Sequence, residues 1–315
     1  MADREPAQSK TRAPAHTEVF ALFGPTGVGK TAIAVALAEL LRERGESPVA
    51  VSADALQVYS GLETLTGVAS PAERAALEHR LLSFLPLDAT FSAGEYAKLA
   101  HAEIDGLLAS GERPIVVGGT GLYLRAALAD LDLRPAPEPA TRERLMADLQ
   151  QRGSADLHRR LAEVAPSAAL GIDEQDWRRI VRALELAEAG ELPPERDRSQ
   201  LWSDDLRHRT LLAALTMRRE ALYERIDARV DAMIAAGVLE EVRGAQAAGV
   251  SMTARKALGF DELLAGDIDA MKRRTRNYAR RQLTWMRKLA GAVPIDVTDR
   301  SASSIAEEIL DSAAS

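Results

Sequence analysis

The residues from Gly24 to Thr31 carry the clearest chemical signal in the chain, because they match the pattern G-x-x-x-x-G-K-[ST]. In such a loop, backbone N–H groups surround a phosphate, the lysine reaches the terminal phosphates and the Ser or Thr hydroxyl binds Mg²⁺. The pattern predicts a site for a di- or triphosphate, with Lys30 on the phosphates and Thr31 on the metal. The predicted diphosphate site comprises Gly24, Pro25, Thr26, Gly27, Val28, Gly29, Lys30 and Thr31.

A nucleotide-hydrolysing P-loop protein also needs a carboxylate at the tip of a neighbouring strand to hold Mg²⁺. The apolar run 115–117 instead ends in Gly118-Gly119-Thr120, without an acid. Asp54, which follows the apolar run 48–53, is the acid placed at a strand end, so it is a candidate general base or a magnesium ligand through water. Gln57 could pair with an adenine edge. A loop anchor for Asp54 and a structural amide for Gln57 remain alternatives.

The elements around these residues predict an α/β fold. Apolar runs at 19–23, 48–54 and 113–119 alternate with helical stretches, one of which runs from Thr31 to Leu41. This order predicts a P-loop NTPase-like parallel sheet with helices on both faces. Because ligands bind at the carboxyl ends of such strands, Gly24, Asp54 and Thr120 should lie in one crevice.

The rest of the chain predicts further units. Residues 140–200 are helical and charged, 209–215 resemble a core strand, 222–238 an amphipathic helix and 294–297 a last strand. The predicted organisation comprises a disordered tail at 1–17, the first part of the core at 18–136, a small all-helical insertion at 137–206, the second part of the core with a basic helix at 207–300, and a tail at 301–315.

Composition limits the class of protein. The chain has 315 residues, 46% of them apolar, and no cysteine, which excludes disulfides and Cys-based zinc sites. No apolar run reaches membrane-spanning length, so we expect a cytoplasmic protein without a membrane partner. The net charge of −7 contrasts with eight basic and no acidic residues between Lys272 and Lys288. That stripe, which includes Tyr278 and Trp285, indicates either an RNA surface or a solvated helix face.

Six blocks of sequence, in order, resemble the tRNA dimethylallyltransferases (tRNA isopentenyltransferases, the IPP transferase family). They are Gly24–Thr31, Ser52–Tyr59, Gly118–Tyr123, Arg178–Glu185, Arg219–Ile226 and Tyr278–Arg287. The resemblance implies transfer of a dimethylallyl group from its diphosphate to N6 of the adenine 3′ of the anticodon, in tRNAs that read codons starting with U. It implies Mg²⁺ as cofactor, and the P-loop then holds a leaving diphosphate.

The resemblance also implies roles for particular residues. Asp54 would accept the N6 proton, Thr120 would hydrogen-bond near the reacting centre, and Lys30 and Arg219 would neutralise the diphosphate. A clamp that is complete within one chain predicts a monomer, to which the tRNA anticodon stem-loop would present a flipped adenine. The expected contacts of the tRNA are Asp54, Ala55, Leu56, Gln57, Thr120, Arg142, Arg178, Arg179, Ile180, Val181, Arg182, Arg280, Arg281, Gln282, Trp285 and Arg287. Trp285 could stack on a base or pack its helix.

Three positions depart from the sequence pattern of the family. Val68 stands where the family pattern has a lysine, Glu78 where it has a histidine, and Asp261 where a lysine is common, which bears on RNA contacts.

An adenylate dimethylallyltransferase would use the same donor but a free nucleotide, and would need no extended basic surface. A small-molecule kinase would use ATP. A nucleotide-switched RNA-binding protein would not need a base at Asp54.

Overall fold

The structure is a computed structural model that describes residues 17–134, 138–193 and 200–314. Its centre is a six-stranded parallel sheet in the order β3-β2-β4-β1-β5-β6. The strands are β1 Val19–Phe23, β2 Pro48–Ser52, β3 His79–Arg80, β4 Arg113–Gly118, β5 Thr210–Thr216 and β6 Val293–Asp296. The predicted parallel sheet is confirmed, while the two-residue β3 was too short for its pattern to be recognised. The tail predicted at 1–17 lies outside the described residues, apart from Thr17.

Helices cover both faces of the sheet, as predicted. Alternate residues of β1 point to opposite sides: Phe20 and Leu22 pack with α1, and Val19, Ala21 and Phe23 pack with α4 and α5. The helices up to β5 are α1 Lys30–Glu43, α2 Glu63–Thr66, α3 Pro71–Ala76, α4 Ala93–Ala109, α5 Gly121–Leu128, α6 Pro139–Arg152, α7 Ser154–Val164, α8 Pro166–Leu170 and α9 Trp177–Ala189.

The helices after β5 differ from prediction in two places. They are α10 Arg219–Ala235, α11 Val238–Ala248, α12 Phe260–Leu264, α13 Ile268–Met286 and α14 Ala302–Ala314. The helix predicted over 222–238 is divided, because Gly237 adopts a left-handed φ of 84° that ends it. The tail predicted at 301–315 is wrong: α14 buries Ile305, Ile309 and Leu310 against the core that contains α1.

Helices α6–α9 lie between α5 and β5, where the sequence predicts an insertion. They pack around an apolar cluster of their own, formed by Leu145, Leu157, Leu161, Ile180 and Leu184 among others. The described residues contain no helix that is both long enough and apolar enough to cross a membrane.

Candidate active site

The loop after β1 adopts a conformation that needs glycine. Gly27 and Gly29 have φ of 83° and 100°, a region that other residues rarely adopt. A Cβ on Gly27 would also lie 3.0 Å from Ile226 of α10. Thr26, Gly27, Gly29, Lys30 and Thr31 line a cavity of about 760 Å³ at the carboxyl end of the sheet. Gly24, Pro25 and Val28 lie buried behind this surface.

Lys30 is enclosed at the start of α1. Its Nζ donates hydrogen bonds to the carbonyl oxygens of Gly24 and Pro25, both at 3.0 Å. Burial, and after it the charge of Arg229, lower the pKa of Lys30, while the charge of Asp54 partly opposes them; the resulting pKa is about 8. Two cations therefore face the same space, an arrangement that favours an anionic ligand.

Asp54 and Thr120 meet at the ends of β2 and β4, as the sequence predicts. The Thr120 hydroxyl donates to Asp54 Oδ2 at 3.4 Å and lies 3.2 Å from the Tyr278 hydroxyl. Burial, together with the negative charge of Asp54, raises the pKa of Tyr278 to about 12, so this phenol keeps its proton at neutral pH. Asp54 Oδ1 also accepts from the backbone N–H of Leu56 at 3.0 Å, so the carboxylate anchors its loop as well.

The tip of β4 has no room for an acid. A Cβ on Gly118 would lie 2.3 Å from the carbonyl oxygen of Ala53, and one on Gly119 would lie 2.5 Å from Gln282 Nε2. Gln282 donates to the carbonyl of Gly119 at 2.7 Å and accepts from the N–H of Thr26 at 2.9 Å. Its side chain is only 5% exposed. Gln282 also lines the cavity, so its expected RNA contact stays a prediction, while its amide joins the P-loop to β4.

The arginines of α10 that line the cavity do not include the one that the family resemblance implies. Arg219 is exposed at the first residue of the helix, where its guanidinium carbon lies 5.4 Å from the Tyr223 ring centroid, and it does not line the cavity. Arg225 and Arg229, which the sequence reasoning missed, do line it. They directly precede Ile226 and Val230, two buried residues that face the core. This spacing was the available signal for the inward face of α10.

The loop after β2 uses its polar groups internally. Gln57 lines the cavity, but its amide accepts from Ser52 Oγ at 3.3 Å and donates to the carbonyls of Thr66 and Gly67, at 3.3 and 3.1 Å. Leu56 also lines the cavity, whereas Ala55 packs against the core beside β1. Gln57 thus holds two loops together at the cavity wall.

The insertion arginines lie on a surface that faces the main body. After desolvation, the charges of Arg142 and Arg178 are the causes that lower the pKa of Lys256, which places all three cations near one another. Arg142 and Arg182 share the buried Glu185, at 3.0 and 3.3 Å, and Arg179 pairs with Asp176 at 3.5 Å.

Ile180 and Val181 correct another expectation. They are 0% and 1% exposed and belong to the core of the insertion, so they cannot touch RNA directly. Helical periodicity separates them from the arginines beside them in the sequence, because residues 180, 181 and 184 share the buried face of α9.

The basic stripe on α13 has two parts. In its first part, the cations pair with acids: Lys272 with Asp231, Arg274 with Glu262 and Arg276 with Asp227, each at 2.6 Å, and Arg273 with Asp267 at 3.9 Å. In the second part, the exposed cations Arg280, Arg281, Arg287 and Lys288 have no carboxylate partner among residues 17–134, 138–193 and 200–314. Trp285 packs its ring on Gly121, which supports the packing alternative.

Comparison with known proteins identifies the family. The family model described as IPP transferase matches residues 57–289. The chain belongs to the IPP transferase family. A tRNA dimethylallyltransferase of Anaeromyxobacter dehalogenans is 43% identical over 280 residues, which cover 86% of this chain and 92% of the relative. One of Clavibacter sepedonicus is 38% identical over 296 residues, which cover 90% and 94%.

Solved structures of the family share the fold. The full-length tRNA isopentenylpyrophosphate transferase of Bacillus halodurans matches with a TM-score of 0.67 and 30% identity, over 95% of this chain and 97% of that one. A eukaryotic dimethylallyltransferase solved acting on tRNA matches with a TM-score of 0.70 and 23% identity, over 90% and 74%, which shows a common fold.

Proposed function

We propose that this protein transfers a dimethylallyl group from dimethylallyl diphosphate to N6 of the adenine 3′ of the anticodon, in tRNAs that read codons starting with U. The observation that carries the proposal is the pairing of Asp54 with Thr120 beside a cation-lined phosphate loop. Membership of the IPP transferase family supports it, as does the absence of an acid at the tip of β4. A P-loop without that acid suits a diphosphate that leaves.

The transfer is a displacement at C1 of the donor. The lone pair of N6 forms a bond to C1 while the bond between C1 and the diphosphate oxygen breaks, and diphosphate departs with that electron pair. The N6 proton passes to the Asp54 carboxylate, which acts as general base. Thr120 and Tyr278 form a hydroxyl pair beside Asp54 that orients the carboxylate. Because Tyr278 keeps its proton, it donates a hydrogen bond here and does not compete as the base.

The leaving group needs preorganised positive charge. Lys30 lies at the loop, and Arg225 and Arg229 line the cavity beside it. The first turn of α1 adds backbone N–H groups that point toward an anion. Arg225 and Arg229 therefore take the clamp role that the family resemblance assigned to Arg219.

Mg²⁺ fits this site in a limited way. Thr31 lines the cavity at the first turn of α1 and offers a hydroxyl ligand. No group of three His, Cys, Asp or Glu residues in the described part of the chain could hold a metal alone. Mg²⁺ commonly binds through few protein ligands together with substrate phosphates. We propose that Thr31 holds Mg²⁺ together with the donor, where the ion supplies charge neutralisation.

The acceptor is an adenine flipped out of the anticodon loop, because a stacked base cannot enter the cavity. Two groups of cations are placed to hold phosphates of the stem-loop: Arg142, Arg178, Arg179 and Arg182 of the insertion, and the four exposed cations in the second part of the basic stripe. Such contacts fix register rather than select bases. We propose that one chain carries out the reaction, since the insertion and the body both come from it, and that it meets its tRNA in the cytoplasm.

A transfer assay with three acceptors tests the proposal. Protein, Mg²⁺ and radiolabelled dimethylallyl diphosphate are incubated with unmodified tRNA that has adenine 3′ of its anticodon, with AMP, or with no acceptor, and ATP hydrolysis is followed in parallel. We expect label in the tRNA, and digestion should place it on that adenine. Label in AMP alone would instead indicate a free-nucleotide enzyme. Turnover of ATP without any label would refute prenyl transfer.

A further inference from the structure

The chain returns from the insertion to β5 through residues 200–207, here called the strap. It begins with a 3₁₀ turn, Gln200–Trp202, and is bonded to α5 along its length. The carbonyls of Gln200 and Asp205 and the hydroxyl of Ser203 accept hydrogen bonds from Arg125 Nη2, at 3.0, 3.3 and 3.3 Å. The N–H of Arg207 donates to the carbonyl of Leu128, the last residue of α5.

Arg125 is a charged residue in an almost completely buried position of α5. It is only 2% exposed, and burial lowers its pKa. Its guanidinium donates to two backbone carbonyls and a hydroxyl. The charges of Asp205 and Asp204 oppose the lowering of that pKa, and both residues belong to the strap. Arg125 therefore ties α5 to the strap by hydrogen bonds and by charge.

The helix that Arg125 fixes is the one that carries the catalytic hydroxyl. Thr120 is the residue before the first turn of α5, and Gly121 begins that turn. A Cβ on Gly121 would lie 2.1 Å from the ring of Trp285, so this indole lies directly on the helix start. The Trp202 ring of the strap packs against Trp285 in a tilted arrangement, with centroids 4.5 Å apart and an angle of 54° between the ring planes. The strap therefore supports the start of α5 through Trp285.

The same strap is tied to the RNA-facing helix of the insertion. Gln200 Oε1 accepts from the N–H of Asp132 at 2.9 Å, and the Asp132 carboxylate pairs with Arg134 at 2.8 Å. The carbonyl of Arg134 accepts from Arg182 of α9 at 3.1 Å. A continuous set of contacts thus runs from Arg182, through both connections of the insertion, to the helix that begins beside Thr120.

We propose that Arg125 and Trp202 are positioning residues that fix the tRNA-holding insertion relative to Thr120 and Asp54, so that the adenine arrives in register with the reacting groups. The inference rests on the proposed transfer to tRNA. Neither residue touches the reacting atoms: Arg125 holds the strap, and Trp202 supports Trp285. Since a misplacement of about 1 Å can cost roughly 100-fold in rate, loss of either contact should reduce the chemical step more than it reduces tRNA binding.

The test compares paired substitutions in the full-length protein. Trp202→Leu removes the ring that packs against Trp285, whereas Trp202→Phe keeps a ring. Arg125→Met removes the donors while keeping an apolar stem, whereas Arg125→Lys keeps one charged donor. Arg144→Met, which removes an exposed cation of α6 that pairs with Glu188, serves as the control in the insertion. Single-turnover transfer at saturating tRNA, the Kd for tRNA and the Kd for inorganic diphosphate are measured for each.

We expect Trp202→Leu and Arg125→Met to lower the single-turnover rate roughly 10- to 100-fold, with both Kd values within about threefold of the wild type. Trp202→Phe and Arg125→Lys should recover most of the rate, and Arg144→Met should leave it unchanged. If Arg125→Met does not fold, the two Trp202 variants decide the question.

Two results would overturn the inference: rates within about twofold of the wild type for both Trp202 variants, or a loss of tRNA affinity as large as the loss of rate. The second result would make Trp202 a part of the RNA surface. Wild-type protein that transfers no label to tRNA would refute the proposed function itself, whereas an active wild type with unaffected variants would refute only the positioning role.

Discussion

The guanidinium of Arg229 lies directly against the backbone of Gly67, where a Cβ would stand 1.6 Å from Arg229 Nη2. Gly67 ends α2 in the left-handed region, with φ of 62°, and its lack of a side chain leaves the space that the arginine occupies. There Arg229 lies near Lys30 and Asp54. The charge of Arg229 lowers the pKa of Lys30, and the charge of Asp54 opposes the lowering of the pKa of Arg229 by burial. The lack of a side chain at Gly67 thus allows Arg229 to occupy its place at the cavity wall.

Arg229→Met should weaken the binding of inorganic diphosphate roughly 10- to 100-fold, the range for a lost charge-assisted hydrogen bond. Arg219→Met is the matched control, since it removes the same group from the exposed start of the same helix and should change the Kd by less than about twofold. Isothermal titration with diphosphate and Mg²⁺ measures both. Equal losses in the two variants would contradict the assignment of Arg229.

Diphosphate binding should depend on the protonation of Lys30. Its pKa in the free protein is lowered to about 8, so the ammonium loses its charge as the pH rises above that value. A bound anion stabilises the charged form and raises this pKa, so binding takes up a proton above pH 8 and weakens as the pH rises further.

Titrations between pH 7 and 10, in buffers of different ionisation enthalpy, measure this proton uptake. Lys30→Met should bind more weakly at pH 7 and retain only the pH dependence of diphosphate itself. An unchanged pH profile in Lys30→Met would show that Lys30 does not meet the diphosphate.

The two parts of the basic helix should differ in their effect on RNA. Replacing Arg280 and Arg281 with alanine should weaken tRNA binding and lower the slope of log K against log salt by about 0.7 to 0.9 for each lost phosphate contact. Arg273→Ala, in the part that pairs with acids, should leave the slope unchanged. Filter binding of tRNA at several salt concentrations checks this. If the slope fell equally with Arg273→Ala, the paired and unpaired parts of the basic stripe would not differ in their contact with RNA.

Local patterns predicted the parts of the fold that depend on local sequence. The apolar runs of β1, β2 and β4, the glycine loop and the helical insertion all follow from composition and spacing. Asp54 and Thr120 were placed together because strand ends in a parallel sheet meet at one edge. The buried residues Ile305, Ile309 and Leu310 of α14 also follow a helical spacing, which the prediction of a C-terminal tail does not use.

The other features of the candidate site depend on tertiary packing. The packing of Ile226 of α10 against Gly27 sets the rotation of that helix, and this tertiary contact determines which of its arginines line the cavity. Gln282 was grouped with the RNA-facing arginines of α13, yet the approach of α13 to β4 turns its amide inward. Ile180 and Val181 are different, because the period of α9 alone would have placed them in its core.

The most direct test of the proposed chemistry is single-turnover transfer by Asp54→Asn on preformed complexes with tRNA. Asparagine keeps the shape of the side chain and an oxygen that can accept from Leu56, but it cannot take up the N6 proton. We expect the rate to fall roughly 100- to 10,000-fold, while the Kd for tRNA stays within about threefold of the wild type. A normal rate at saturating tRNA, combined with a large loss of tRNA affinity, would show that Asp54 serves binding and not proton transfer.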